Sequence, residues 1–560
     1  MQSATLKLLD VSTCTYAERV TAAALQGLLN RSQPAIFLNY GIYDDPAARR
    51  TNEVFLDDEI WFGKYREMLG NQDLLNLSYY QQEHGFLTEN ISDLSRVVFE
   101  NRAMLKGCVI WDEDFDDTVN IALMLAAQED LLVIEKGMLD WAKIFELPII
   151  HDLRDRWSDR VEVYQWAFEN LFPKCLSGQI ACIEPSWKRP EFIDYVVQNK
   201  IFTYNLTSQH KGWGQILLLM LSFGPAWLRE LIFTLRLDKP MRKLGLRLMG
   251  NALPEIALHN TIQSSVQSDT YPTIFGWHTK RDDELAFMLL LSANGLRLVP
   301  SHLAGNFSFH ARVPADRLQS PEPLPAPPEL DPHGTYLTFT LSDGDQLMMM
   351  STAQLGNWYN PQRGKITFNW EVQPLLVELA PALLQKFQKQ STPNDCLIAG
   401  PSGAGYIIPP LAPDLDRYMK ETSRICKQAG IKTVTSYVAD PPRRVLRQIC
   451  QQSEGVIGFL GGYAIFSRTP QVMVGNKVFI ANQIPRLAHI ADSAEEVLHA
   501  VRTIVESPAL HKPRFIGIHL FAYRTSYEDI LGFVGMLNDP HVHVVRADVF
   551  LQLAKQTFSR

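Results

Sequence analysis

The run Tyr336-Leu337-Thr338-Phe339-Thr340-Leu341-Ser342-Asp343-Gly344-Asp345-Gln346 decides the reading of this chain. A short stretch of β-formers passes without a break into an acidic, glycine-containing turn. Downstream of the first run, 336–341, seven more short apolar runs follow, at 365–370, 396–399, 433–438, 456–460, 478–481, 515–520 and 542–545. Helical patterns separate most of them, at 374–388, 414–428, 442–452, 493–506, 526–537 and after Asp548. Strands alternating with helices in this number predict an α/β fold, a (β/α) TIM-type barrel over residues 335–560. Between 462 and 478 there is only a hairpin-like stretch, so a seven-stranded or distorted barrel is the alternative.

Upstream of the decisive run, residues 313–334 carry seven prolines and read as an extended connector. Further back, helical 17–30 precedes strand-like 35–38, and strand 107–111 precedes helix 118–129 and strand 131–134. That alternation predicts an N-terminal α/β region with parallel sheet. Residues 136–250 read as mostly helical, apart from a strand-like 180–183. The expected division is therefore 1–250, an α/β and helical region; 251–334, a connecting segment ending in the proline-rich linker; and 335–560, the barrel. Because the linker leads straight into the first barrel strand, the N-terminal half is expected to close over the C-terminal ends of the strands.

At 560 residues, 46% hydrophobic and 20% charged, the chain has the composition of a folded protein of several domains. A net charge of −8 and the lack of a basic stripe argue against nucleic acid as a partner. The seven cysteines form no C-x-x-C pair, which points to neither a disulfide framework nor a zinc site. No metal or other cofactor is expected. The first ten residues lack a basic segment followed by an apolar core, so a cytoplasmic location is the default expectation. The most apolar stretch, 214–237, is interrupted by Pro225, Arg229 and Glu230. Its continuous apolar part falls short of the ~20 residues of a transmembrane segment. It reads as a buried helical hairpin, with an interfacial membrane helix as the alternative. The sequence does not set the oligomeric state.

In such a barrel the chemistry sits where the strands end. The ends here carry Ser342–Gln346, Trp370-Glu371, Gly400 to Tyr406, Asp440, Gly461-Gly462-Tyr463, Asn482-Gln483, His519 or Tyr523, and Arg546 with Asp548. Carboxylates are prominent. Cleaving a glycosidic bond takes two, one protonated for the leaving oxygen and one ionised to attack or to activate water. Asp343 and Asp345, two residues apart, share a face if the strand geometry persists; the competing reading is a turn with a helix cap. Asp440 is a third carboxylate or a cap. Ser402, Gly403, Gly405 and Tyr406 form a loop able to approach a ligand; Pro409 and Pro410 after it preclude the immediate helix start that a phosphate cradle needs. Trp370, Trp277, Arg363 and His519 are the remaining candidates to hold a sugar, each weighed against a place in the core.

Gly403-Ala404-Gly405-Tyr406-Ile407-Ile408-Pro409 resembles the G-x-G-Y-x-Y-P signature of a family of glycoside hydrolases assigned by inference. Leu25-Gln26-Gly27-Leu28-Leu29-Asn30-Arg31 and Ser342-Asp343-Gly344-Asp345 are similar to two further segments of that family, in the same order along the chain. The resemblance implies an N-terminal α/β region before a barrel-like domain, a carbohydrate substrate, and members that are often exported. Ile408 stands where the signature has its second Tyr, and Gln346 where Asn is usual. Those departures motivate one alternative, a non-catalytic glycan-binding protein on a decayed enzyme. The other is a metal-dependent carbohydrate esterase or deacetylase, which needs histidine ligands; His541 and His543 lie at a strand start, the wrong end.

Overall fold

A computed structural model describes residues 5–41, 72–188, 192–302, 304–315, 324–342, 346–351, 354, 356–462, 471–482, 494–508, 512–522 and 525–559. Among the described residues the N-terminal half contributes ten strands: β1 (Thr5–Asp10), β2 (Ile36–Asn39), β3 (Leu87–Ile91), β4 (Gly107–Ile110), β5 (Leu131–Ile134), β6 (Ile149–Asp152), β7 (Gln179–Cys182), β8 (Phe202–Tyr204), β9 (Thr273–Gly276) and β10 (Arg297–Pro300). They form three sheets, in the orders β2-β1-β3, β5-β4-β6 and β10-β9-β7-β8. Every pair in them is parallel. The four-stranded sheet cuts across the expected boundary at residue 250. β9 and β10 pair onto β7, so residues 273–300 belong to the N-terminal sheet and not to a connector. Short apolar strands such as β9, buried throughout, gain stability only from neighbours on both sides, and β7 and β10 supply them.

The C-terminal half holds β11 (Thr335–Ser342), β12 (Phe368–Val372), β13 (Asp395–Ala399), β14 (Thr433–Ser436), β15 (Gly458–Gly461), β16 (Gln471–Val474), β17 (Lys477–Ala481), β18 (Arg514–Phe521) and β19 (Val542–Val544). Seven parallel strands run in the spatial order β17-β15-β14-β13-β12-β11-β18. The hairpin-like stretch is a real antiparallel pair, β16 with β17. A single parallel bridge, Asn482 to Gly517, joins the two ends of the row, so the sheet curls on itself. The eighth expected strand does not take the closing place of a TIM barrel. β18 pairs along the whole of β11, from Thr335 to Ser342, so that edge is taken. β19 pairs instead with the start of β11, over Thr335–Leu337, and Thr367 at the start of β12 donates to Val544 O (3.0 Å).

The two faces of the curled sheet bury different residues. Leu337, Phe339, Leu341, Phe368, Trp370, Ile516 and Ile518 pack outward into the main core. The concave face holds Tyr336, Cys396, Ile398, Leu460, Val478, Ile480 and Phe515, and the terminal helix Ala547–Phe558 plugs it with Phe550, Leu551 and Leu553. At about 1.5–3 kcal/mol per large side chain buried, the plug fixes the N-terminal end of the curl.

The N-terminal half docks on the other end. Leu298 in β10 and Tyr406, beyond β13, exchange both backbone hydrogen bonds (2.9 and 2.6 Å). Arg297 pairs with Glu421 (2.8 Å), Tyr437 donates to Glu284 (2.8 Å), and Arg229 pairs with Asp440 (2.7 Å). Tyr406, Tyr437 and Asp440 all follow the C-terminal ends of β13 and β14, so the N-terminal half adjoins the end where the sequence places the chemistry.

Candidate active site

Strand alternation gives the concave face a polar end. In the parallel register Thr338 pairs with Gly517, and Thr340 with His519 on one side and Asn369 on the other; paired residues share a face. Asn369 spends its amide on structure: its Nδ2 donates to Thr338 (2.8 Å), and its Oδ1 accepts from Ala547 N at the start of the plug (2.8 Å). Two residues on, Glu371 turns to the same face. Glu371 Oε2 lies 3.8 Å from His519 Nε2, with both side chains at most 1% exposed. Gln354 fixes the Glu371 backbone by donating to its carbonyl (2.9 Å).

Thr435 and Asn482 add hydroxyl and amide groups to this face; Thr435 is aligned with Leu460 and, through it, Ile480. Thr435 Oγ1 and both side-chain polar atoms of Asn482 are buried, with no hydrogen-bond partner among the described residues. An unpaired buried polar atom costs free energy of order 1–3 kcal/mol, so such atoms mark a place for a polar ligand or water. Asn482 fits only because residue 517 is glycine: a Cβ there would stand 2.4 Å from Asn482 Oδ1.

Asp343 and Asp345 lie outside the described residues, as do Gly344, Tyr463, Gln483 and Tyr523. β11 ends at Ser342 and the chain resumes in helix Gln346–Ser351, which packs against β10. The end of β11 therefore stands between β12, which carries Glu371, and β18, which carries His519.

The other expected site residues stand elsewhere. Gly403 and Gly405 have positive φ (129° and 94°). A Cβ on Gly403 would meet Thr422 Cγ2 at 2.3 Å, and one on Gly405 would meet Leu298 O and Arg297 Cδ at 3.0 Å. The space beside both glycines is filled by protein, which corrects the reading of this loop as a ligand cradle. Ser402 is enclosed in the same contact, donating to Ile407 O (3.0 Å) and accepting from Tyr437 N (3.0 Å). Tyr406 is 1% exposed, its ring 6.2 Å from that of Tyr437. Ile408 is fully buried and its N–H donates to Ser292 (2.9 Å), so the departure from Tyr falls in a packed contact.

Trp370 offers no ring face to a sugar. It is buried against Trp358, Phe368 and Tyr527, and its Nε1 donates to Asp395 (2.7 Å). Arg363 is bound to that same Asp395 and lies over Trp358. Asp440 is committed to Arg229; burial pushes its carboxyl above the usual range, against the pull of that guanidinium. Trp277, half-buried at the end of β9, stacks on His302 with ring centroids 4.7 Å apart. Among the described residues no group of three or more His, Cys, Asp or Glu side chains is placed to hold a metal ion.

In the sequence Glu371 stands at a strand end, outside the residues expected to act. Its signal was the alternation Phe368, Trp370, Val372 against Asn369, Glu371, which sets the carboxylate on the face opposite the apolar core. Asn482 is legible only as a strand end, and Thr435 carries no such signal, because the importance of both lies in missing partners.

Parallel sheets in the N-terminal half and a curled parallel sheet with a polar concave end after them define an α/β protein. Three family models match it: "GxGYxYP putative glycoside hydrolase C-terminal domain" at residues 334–555, the second N-terminal domain of that family at 105–176 and its third domain at 228–312. The chain belongs to the GxGYxYP family. It aligns with the crystal structure of a protein from Bacteroides thetaiotaomicron VPI-5482 described as a "putative hydrolase", at 18% identity and a TM-score of 0.75, over 99% of this chain and 94% of that one. That likeness establishes a shared fold. A Mycobacterium smegmatis structure described as a "putative polysaccharide deacetylase" aligns at 9% identity with a TM-score of 0.29, over 42% of this chain and 94% of that one, too slight a likeness to bear on either fold or activity. No curated protein matches the chain.

Proposed function

We propose that this protein hydrolyses glycosidic bonds in a carbohydrate held at the polar end of its curled, barrel-like sheet. The observation that carries the reading is the buried pair Glu371–His519, on the two strands that flank the one leading into Asp343 and Asp345. Glycoside hydrolysis needs two carboxyl groups in distinct roles. One gives its proton to the glycosidic oxygen as the C–O bond breaks. The other, ionised, bonds to the anomeric carbon or takes the proton of a water that does. Glu371 supplies one of these groups and the acidic run, through Asp343 or Asp345, supplies the other. His519 orients the Glu371 carboxyl, and Thr435 and Asn482 offer hydrogen bonds to sugar hydroxyls. The family description, which names glycoside hydrolases, supports the same substrate class.

A screen of poly- and oligosaccharides, scoring new reducing ends and released acetate separately, tests this reading for the wild type, Asp345→Asn and Glu371→Gln. Reducing ends that disappear in both variants are the expected result. Turnover that persists in both, or release of acetate alone, would overturn it.

A further inference from the structure

The hairpin expected to be buried is buried on one side only and exposes the other. Ten of the twenty exposed large apolar side chains among the described residues fall between Trp213 and Leu253. Three helices carry most of them: Trp213–Phe223, Ala226–Thr234 and Asp238–Gly250, the first two meeting at 95°. The first helix turns out Trp213, Ile216 and Leu219, spaced three apart on one face; Trp213 is 76% exposed. The second turns out Trp227, 70% exposed, and Leu231 one turn on. The third turns out Leu244 and Leu248. Gly214 and Gly245 let the first and third helices meet backbone to backbone, since a Cβ on Gly214 would lie 2.7 Å from Gly245 O. The first and third helices are therefore in direct contact.

The exposed charges around these side chains have one sign. Lys211, Arg236, Lys239, Lys243 and Arg247 are exposed, in a chain of net charge −8. The acids of the stretch are turned inward: Glu230 is half-buried and accepts from Arg443 N (3.0 Å), and Asp238 is buried with Arg444 at 3.3 Å. We propose that this three-helix face docks on the surface of an anionic lipid bilayer. Indole and leucine side chains gain free energy by entering the headgroup and acyl boundary, and the surrounding cations gain from anionic headgroups. A nucleic acid or an acidic chain would satisfy the cations and leave the two indoles in water. A second copy of this chain, paired about a two-fold axis, would set the cations against themselves. Arg229, on the second helix, is bound to Asp440 beyond β14, so the face borders the end of the sheet that carries the candidate site.

The test is flotation of the full chain with vesicles of mixed phosphatidylcholine and phosphatidylglycerol, against vesicles of phosphatidylcholine alone. Binding to the anionic vesicles that falls as salt is raised is expected. The pair W213S/W227S should weaken partition by about tenfold, and K239E/K243E/R247E by about a hundredfold. All five side chains are exposed, so the thermal melts should match the wild type. If either set fails to fold, the salt and lipid dependence of the wild type decides. Absence of the wild type from the floating fraction, or equal binding to both vesicle types, overturns the proposal. So does a wild-type dimer that W213S/W227S converts to monomer without any lipid binding. Each of these readouts is independent of glycoside hydrolysis.

Discussion

Gly403→Ala separates a structural reading of the signature loop from a ligand-binding one. Residue 403 has φ 129°, where a side chain is strained by about 1–3 kcal/mol. The new Cβ would also stand 2.3 Å from Thr422 Cγ2 and 2.9 Å from its Oγ1. Thr422 is fully buried on helix Leu415–Gln428, and its Oγ1 accepts from Ala404 N (3.2 Å), so it has little room to withdraw. Overpacking of that kind costs about 1–3 kcal/mol, which brings the total to roughly 4 kcal/mol. Thr422→Ser deletes the closer atom and keeps the acceptor, at about 1 kcal/mol by itself. In G403A/T422S the 2.3 Å contact is relieved while the 2.9 Å approach to Oγ1 and the backbone strain stay. The double variant should then cost about 1–2 kcal/mol less than the sum of the singles. Urea titration of the four proteins measures this. Strict additivity, or a G403A cost under about 1 kcal/mol, would refute the reasoning, since a glycine kept for a ligand would lose affinity and not stability.

Three further outcomes follow from the same contacts. Arg229→Met strands Asp440 without its cation and should cost about 3–5 kcal/mol in urea titration, whereas R229M/D440L should recover most of the loss; an unchanged R229M contradicts the pairing. Glu371→Gln should lower kcat on any glycan the wild type cleaves by about 10²–10⁴-fold while its melting temperature stays close to wild type; a folded E371Q with full activity removes Glu371 from the chemistry. Two buried groups should oppose each other in pH-dependent stability. Burial raises Asp194 to about 6, so the native state binds the extra proton between its unfolded value of 3.8 and about 6, and stability rises as pH falls through that window. Asp194→Asn should abolish that rise in pH-resolved urea titrations. Burial lowers His259 to about 4 from 6.5, so its contribution is present above 6.5 and is lost as pH falls towards 4. Proton NMR should show a neutral His259 ring at pH 5.5.

The elements of the C-terminal half were legible because local periodicity sets them. The helix expected at 414–428 is Leu415–Gln428, started by Asp414, whose side chain accepts from Arg417 N (3.2 Å). The helix expected at 442–452 is Arg443–Gln452. Spatial order was less legible, because periodicity says which face of a strand is buried and not which strand lies beside it. Thus 542–545 was readable as a strand, but its place beside the start of β11 depends on β18 having filled the other edge. The hairpin at 213–234 misled for a related reason. High apolar content signals burial on average, yet Leu218 and Leu221 face the core while Trp213 and Trp227 face out, and composition alone cannot divide them. At the site, the carboxylate at 371 was visible in the strand-end inventory; that it meets His519 depends on two strands separated by β11 and on more than 140 intervening residues.

The placement of the signature loop changes what the family motif implies. Its glycines, Ser402 and Ile408 join two halves of the molecule, and none of them meets a free surface where a sugar would lie. The contacts they make, with Thr422, Leu298, Arg297 and Ser292, hold β10 against the C-terminal end of β13. β10 in turn packs on the helix Gln346–Ser351, directly after the acidic run. The loop therefore adjoins β10, and β10 adjoins the helix Gln346–Ser351. If Asp343 and Asp345 are the reacting carboxylates, the helix that follows them, Gln346–Ser351, lies against this docked strand. A substitution in the loop should then reach the chemistry without touching the substrate, by shifting the helix that follows the carboxylates. On the reading proposed above, Glu371 and His519 come from the curled sheet, and the motif marks the interface through which the N-terminal half docks beside it.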